Sequence, residues 1–234
     1  ALNIAENLNL KHICADIVDF NVIQKSIDLS GLKNVLLDSS CSCVGACSDA
    51  IINIPDPIFK AKLLSATSQN YVARNLYGSY FKIDANNDKE IQMSEAFNVY
   101  SLTLNESNIS SLLGIEYFVN VGVSDCYLNK IKSLNVSNLS KLAYFQCHLN
   151  GLTSLNISGL TKIQELICSS NNLTSLDLSN LTELTHLNCS ANQLSSLIIK
   201  NGINEERLYL TPNPNLKYIC ADESQVPAIQ AQLL

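Results

Sequence analysis

The sequence predicts an α/β solenoid in which short strands stack into one parallel sheet, a horseshoe with helical caps at its ends. Three series carry that expectation. Asn108, Asn129, Asn150, Asn171, Asn192 and Asn213 stand 21 residues apart. Cys126, Cys147, Cys168 and Cys189 keep the same step three places ahead of their asparagines, with Leu210 next in line. Apolar rows run in phase with both: Phe145, Leu166, Leu187 and Leu208; Leu134, Leu155, Leu176 and Leu197; Ile131, Leu152, Leu173 and Leu194.

Residues 142–152 read LAYFQCHLNGL, which resembles the leucine-rich-repeat pattern L-x-x-L-x-L-x-x-N-x-L with cysteine in the third apolar place. One such unit cannot bury its apolar row, but units stacked at the ~4.8 Å spacing of neighbouring strands share a continuous core. The asparagine falls where the strand turns, and an inward amide there can satisfy backbone groups that lack ladder partners. A 21-residue unit leaves too little chain for long helices on the convex side, so extended or short 3₁₀ segments are expected, with gentle curvature.

Composition narrows the function classes. The net charge is −6, and the 15 Lys and Arg form no cluster, which argues against a nucleic-acid surface. No apolar run approaches the ~20 residues that span a bilayer. The opening ALNIAENLNL lacks the charged and apolar regions of a signal peptide, so the chain reads as a mature protein or an excised piece. Of nine cysteines, the four in the ladder point the same way on adjacent parallel strands, a poor geometry for bridging, and are expected as buried free thiols.

In chain order, residues 1–30 read as the closing cap of an earlier repeat array. Leu2, Asn7, Leu10 and Cys14 match Leu208, Asn213, Leu216 and Cys220, and HICAD matches YICAD. A short helix is expected over roughly 19–29, and the chain reads as part of a longer protein with at least two arrays. Residues 31–54 form a joint containing Cys41, Cys43 and Cys47, for which a disulfide from Cys47 to either neighbour, a zinc site short of a fourth ligand, and free thiols all remain open.

A front cap is expected over 55–99. Asp56 before Pro57 is a helix start, with Ile58, Phe59 and Leu63 as the apolar face. Residues 84–95, DANNDKEIQMSE, then resemble a twelve-residue EF-hand loop. Asp84, Asn86, Asp88, Gln92 and Glu95 put oxygen-bearing side chains at positions 1, 3, 5, 9 and 12, Glu90 offers its carbonyl at 7, and Ile91 is the apolar anchor at 8. That donor set suits Ca²⁺, with Glu95 closing the site from a helix over about 94–98. Lys89 stands where such a loop has glycine, and its charge lowers the expected affinity. A single loop reads as a structural site, because a sensor opens a groove between helices.

The repeats, 100–213, are followed by a cap at 214–234. Side chains flanking the inward residues face the concave side: Asp125 and Tyr127; Tyr144, Gln146 and His148; Glu165 and Ile167; His186 and Asn188; Arg207 and Tyr209. Tyrosine and arginine are common binding anchors, so this is the candidate ligand stripe. His148 and His186 are expected ~15 Å apart, too far to share a metal. No nucleophile with a nearby base and no phosphate loop is present, so an enzyme is not expected. Triplets such as those beginning at Asn135, Asn156, Asn172 and Asn180 arise from the repeat itself and are read as by-products.

IPDPIFKAKLLSA, IDANNDKEIQMSEA, GIEYF at 114–118, the LxCSxNxLxSL units and NPNLKYICADESQVPAIQ together resemble secreted leucine-rich-repeat proteins from the outer surface of Gram-negative bacteria that use type IX secretion. That resemblance implies an extracellular, non-enzymatic surface or adhesion protein. Two readings stand: a calcium-stabilised module that recognises a protein or glycan through its concave face, or a spacer within a larger surface protein.

Overall fold

The computed structural model describes residues 12–14, 36–38 and 49–233. The helix expected over 19–29 and Cys41, Cys43 and Cys47 lie outside the described residues. The first two strands, β1 (His12–Cys14) and β2 (Leu36–Asp38), pair in parallel.

The rest is a solenoid with a seven-stranded concave sheet. Its strands are β3 (Ala73–Asn75), β4 (Val99–Thr103), β5 (Val123–Asp125), β7 (Tyr144–Gln146), β9 (Glu165–Ile167), β11 (His186–Asn188) and β13 (Arg207–Tyr209). All neighbours run parallel except β3, which closes the front edge antiparallel to β4. The convex side is extended, as its length required: β6 (Ser133–Asn135) pairs with β8 (Ser154–Asn156), and β10 (Ser175–Asp177), β12 (Ser196–Ile198) and β14 (Tyr218–Cys220) form a second parallel group. A 3₁₀ turn at Ile115–Tyr117 completes the first unit.

The core runs the length of the stack between the two faces. Phe145, Leu166 and Leu187 enter from the concave side and Leu134, Leu176 and Leu197 from the convex side, all buried, while Leu155 is partly covered. Cys126, Cys147, Cys168 and Cys189 are buried free thiols, as their place in the ladder requires. Burial pushes all four thiols up, Cys189 to about 12, so none is a thiolate at neutral pH.

The asparagines do the work their spacing implies. The Oδ1 atoms of Asn129, Asn150, Asn171, Asn192 and Asn213 accept from the N–H of Ile109, Ile131, Leu152, Leu173 and Leu194 at 2.9–3.1 Å. Each Nδ2 donates back to the preceding unit, to Leu104, Cys126, Cys147, Cys168 and Cys189 carbonyls, at 2.9–3.1 Å. Every amide therefore ties two units together. Just ahead of it the chain turns through a left-handed residue, Leu128, Leu149, Ser170 or Ala191, at φ 52–54°.

Asn108 is an exception. Ser101 pairs with Val123 and Leu102 with Ser124, so the first step is 22 residues, and the left-handed residue equivalent to Leu128 is Glu106, two places before Asn108. Ser107 stands where the others have asparagine, and Asn108 lies exposed beyond it at φ 60°.

The front cap is fastened at Asp56. Its Oδ1 accepts from Ile58 and Phe59 N–H at 2.9 and 3.0 Å, starting α1 (Pro57–Leu64). Its Oδ2 reaches the first repeat and accepts from Ser110 and Ser111 N–H at 2.8 and 2.9 Å. Phe59 and Leu63 are buried against the sheet end, but Ile58, expected on the same face, is 43% exposed. Residues 49–54 run along the cap, with Ile52 N–H donating to Ile91 O at 2.8 Å and Ile52 and Ile54 buried. Gly114, at φ 105°, gives Ile54 room: a Cβ there would meet Ile54 Cγ1 at 2.9 Å. At the far end α3 (Val226–Leu233) closes the stack, and buried Gln225 donates to Ile199 O and Ile203 O at 3.0 and 2.8 Å.

Candidate functional site

The loop at 84–95 follows β3 and runs into α2 (Met93–Phe97), a helix starting one residue before the expected one. The turn expected to need glycine forms without it, because Asn87 and Lys89 both adopt left-handed backbone, at φ 65° and 67°. Asx contacts shape the loop: Asn86 Oδ1 accepts from Asp88 N–H at 2.9 Å and Asp88 Oδ1 from Glu90 N–H at 2.8 Å. Glu95 spans it, accepting from Ala85 N–H at 2.7 Å and from Gln92 N–H at 3.1 Å. Lys60 Nζ on α1 pairs with Glu90 at 2.6 Å and ties loop to cap.

The six expected donors are thus gathered on one turn, but they chiefly bond one another. Gln92 Nε2 and Asn86 Nδ2 both donate to Asp88 Oδ2, at 2.6 and 2.9 Å. Among the described residues, no three His, Cys, Asp or Glu side chains converge as a metal cluster. One atom is left over. Asp84 is 4% exposed, Lys82 Nζ stands 3.7 Å from its Oδ2, and its Oδ1 is buried with no hydrogen-bond partner. A buried carboxylate oxygen without a donor is costly, and a cation would satisfy it. Burial, and then the charge of Asp84, raises the pKa of Glu95 against the backbone N–H groups that it accepts. A divalent ion at this turn would lower it again. The chemistry of the donors, hard oxygens with three carboxylates, fits Ca²⁺.

On the concave face, register brings the expected stripe into three rows. Val123, Tyr144, Glu165, His186 and Arg207 form one; Asp125, Gln146, Ile167, Asn188 and Tyr209 the next. Tyr127 and His148 continue beyond the strands as a stacked pair, with centroids 4.6 Å apart at 13°. Asn105 Nδ2 donates to the Tyr127 hydroxyl at 2.9 Å and fixes that ring. Gln146 Nε2 donates to Glu165 at 3.0 Å, Tyr144 Oη to Gln164 at 2.9 Å, and Thr185 Oγ1 lies 2.8 Å from His186 Nδ1. Tyr144 and Tyr209 are about half exposed. Partial burial, and then the nearby Glu165 charge, raises the pKa of Asp125, while burial lowers that of His148, whose Nδ1 has no hydrogen-bond partner. The stripe is therefore a partly ordered polar and aromatic surface with an acidic centre and Arg207 toward one end.

The sequence reading missed the other end. Arg74 on β3 pairs with Ser101 and bridges Tyr80, its guanidinium 4.6 Å from the Tyr80 ring centroid, and Tyr71 meets Tyr80 edge-on at 5.1 Å. The only sequence signal was aromatic density in YVARNLYGSYF at 71–81, which carries no repeat period.

No family model and no curated protein matches the chain. Among solved structures it is similar to three Listeria monocytogenes proteins. Internalin C2 is 18% identical, with 74% of this chain and 88% of that one covered and a TM-score of 0.41. An internalin designated InlF is 20% identical, with coverage of 79% and 63% and a TM-score of 0.40. The functional domain of InlJ, described as including a cysteine ladder, is 17% identical, with coverage of 77% and 63% and a TM-score of 0.27. These are distant likenesses, and the fold stands on this chain's own ladder of strands, asparagines and thiols.

Proposed function

We propose that this chain is an extracellular, non-enzymatic recognition or adhesion module of a bacterial cell surface, which binds a protein or glycan through the concave face while Ca²⁺ fixes the front cap. The observation that carries the binding reading is the centre of the concave sheet. There, Asp125 is only partly buried and has a raised pKa beside Glu165, on a face where Tyr144, Arg207 and Tyr209 stay exposed. Polar groups held at a cost on an open surface gain when a ligand satisfies them. Tyr127, Tyr144 and Tyr209 would supply rigid apolar contact, Arg207 the complementary charge and His186 a hydrogen-bonding ring.

The test compares the wild-type protein with a Tyr144→Ala, His186→Ala, Tyr209→Ala triple variant on a printed array of oligosaccharides and purified surface glycoproteins. Recognition through this face predicts that bound signal falls at least about tenfold, the usual scale for losing binding anchors, with an unchanged melting temperature. Equal binding by the triple variant would favour a spacer in a larger surface protein.

For the metal, Asp84, Asn86, Asp88, Gln92, Glu95 and the Glu90 carbonyl would hold one Ca²⁺, and the orphaned Asp84 Oδ1 is what supports it. Calorimetry on EDTA-stripped protein should then give one-site binding and a raised melting temperature, both abolished by Glu95→Gln. No heat and no shift would reduce the loop to a polar turn.

A further inference from the structure

The solenoid ends in an unfinished edge. β14 pairs with β12 alone among the described strands. Tyr218 N–H donates to Ser195 O at 3.3 Å and Cys220 O accepts from Ile199 N–H at 2.8 Å, so both residues direct their backbone groups inward. Alternation along a strand then directs the Ile219 N–H and C=O to the opposite edge. At the centres of the convex strands Leu134, Leu176 and Leu197 are at most 5% exposed, while Leu155 and the last in line, Ile219, are only partly buried. Beside it, a groove of about 310 Å³ runs between β14 and α3, lined by Leu216, Ile219, Ala221, Val226, Ile229 and Leu233. Val226 and Leu233 are 40% and 52% exposed.

The chain also contains the equivalent strand with a further partner. His12, Ile13 and Cys14 of β1 occupy the places of Tyr218, Ile219 and Cys220 in the duplicated cap sequence, and β1 carries a further parallel strand, β2, with Ile13 opposite Leu37. β2 in turn runs beside α2 of the following cap. A cap of this kind is therefore a joint: its last strand takes one more, from the chain that comes after it.

We propose that the free edge of β14 is a socket for a parallel strand supplied in cis by the segment following a cap, as Leu36–Asp38 follows the first, so that successive arrays dock end to end rather than hang on a flexible link. This does not depend on what the concave face binds.

Leu234 occupies the place of Asp28 in the duplication, so residues 29–40 can be appended directly after it in the full chain, at the spacing found in the first copy. Docking predicts that the Ile219 amide exchanges with solvent at least about tenfold more slowly, because it becomes part of a ladder, and that the melting temperature rises. Asp38→Pro in the appended copy alone should remove both effects, since the residue after the one opposite Ile219 donates to the Ile219 carbonyl and proline cannot. Unchanged exchange at Ile219 would overturn the proposal. So would protection accompanied by dimers in sedimentation, which would make the donor a second chain.

Discussion

The front cap and the repeat array are held together in opposite ways. In the array each tie occurs many times: five asparagines make the same pair of bonds between successive units, and no one of them is unique. In the cap each tie occurs once. Asp56 bonds α1 to the first repeat, Lys60 pairs α1 with Glu90 of the loop, and Glu95 bonds both ends of the loop. A repeated tie distributes a loss along the stack, since solenoid stability is close to a sum of unit and neighbour contributions. A unique tie concentrates it.

Breaking the unique tie should have the largest effect. Asp56→Ala removes a helix cap and leaves the Ser110 and Ser111 N–H groups without acceptors, which together should cost about 3 kcal/mol. Because only the cap is unfastened, a thermal melt should resolve an early transition confined to it. The wild-type cap should also be acid-sensitive. Burial alone would raise the pKa of Asp56, but four backbone N–H donors outweigh it and hold the carboxyl below its ordinary value. The contribution is present above the unfolded-state pKa and is lost as pH falls through the folded one. A single transition at the wild-type temperature would show that the cap and array are not separable in this way.

Breaking a repeated tie should cost less. Asn171→Ala leaves the Leu152 N–H unpaired, but Ser169 O, one of the carbonyls it served, still accepts from Leu149 N–H at 3.1 Å. The expected loss is about 2 kcal/mol, read as a lower urea midpoint with one cooperative transition. Two separated transitions would mean that the amide is a hinge of the stack.

The same contrast decides what the sequence could disclose. The array was legible because periodicity repeats its evidence, so that the buried thiols, the inward leucines and the bonds of the asparagines all follow from one 21-residue step. The period changes at Asn108, which already in the sequence sits one residue further from its leucines than its counterparts, because a single inserted residue in the first unit leaves an asparagine in apparent phase. In the cap, Asp56 was legible as a helix start, but its second oxygen was not: Ser110 and Ser111 lie more than fifty residues away and carry no motif. Ile58 was placed on the buried face by helical spacing, yet a helix of eight residues across the end of a sheet buries only Phe59 and Leu63. Arg74 and Tyr80 meet across an irregular antiparallel edge that has no counterpart in the repeats. The loop donors were legible as a list; their bonds to one another, and the orphaned Asp84 oxygen, are properties of three dimensions.

A change that mends the cap should have a smaller effect of opposite sign. Lys89 is held at φ 67°, a conformation that costs an L-residue about 1 kcal/mol relative to glycine. Lys89→Gly should raise the melting temperature of the metal-free protein by a few degrees, the usual equivalent of that energy in a protein of this size. Removing the positive charge should also tighten calcium binding in calorimetry. The array holds the same kind of strain at Leu128, Leu149, Ser170 and Ala191, at φ 52–54°, repeated from unit to unit.

The smallest expected change lies on the concave face, where the array departs from its own economy. Asp125 is partly buried on a strand whose centre is Ser124, and its carboxyl is pushed above the ordinary value, first by burial and then by Glu165. A group whose folded pKa is raised disfavours the folded state above its unfolded value, so stability should decline as pH rises from the ordinary carboxylate value through the folded pKa of Asp125. Asp125→Asn should flatten that slope and raise the urea midpoint slightly at neutral pH, while leaving acid stability unchanged. If the concave face recognises a ligand, the same substitution should weaken binding although it strengthens the fold, because the charge is then retained for the partner and not for the solenoid. Stabilisation with unaltered binding would place the ligand elsewhere on the sheet, toward Arg74 and Tyr80.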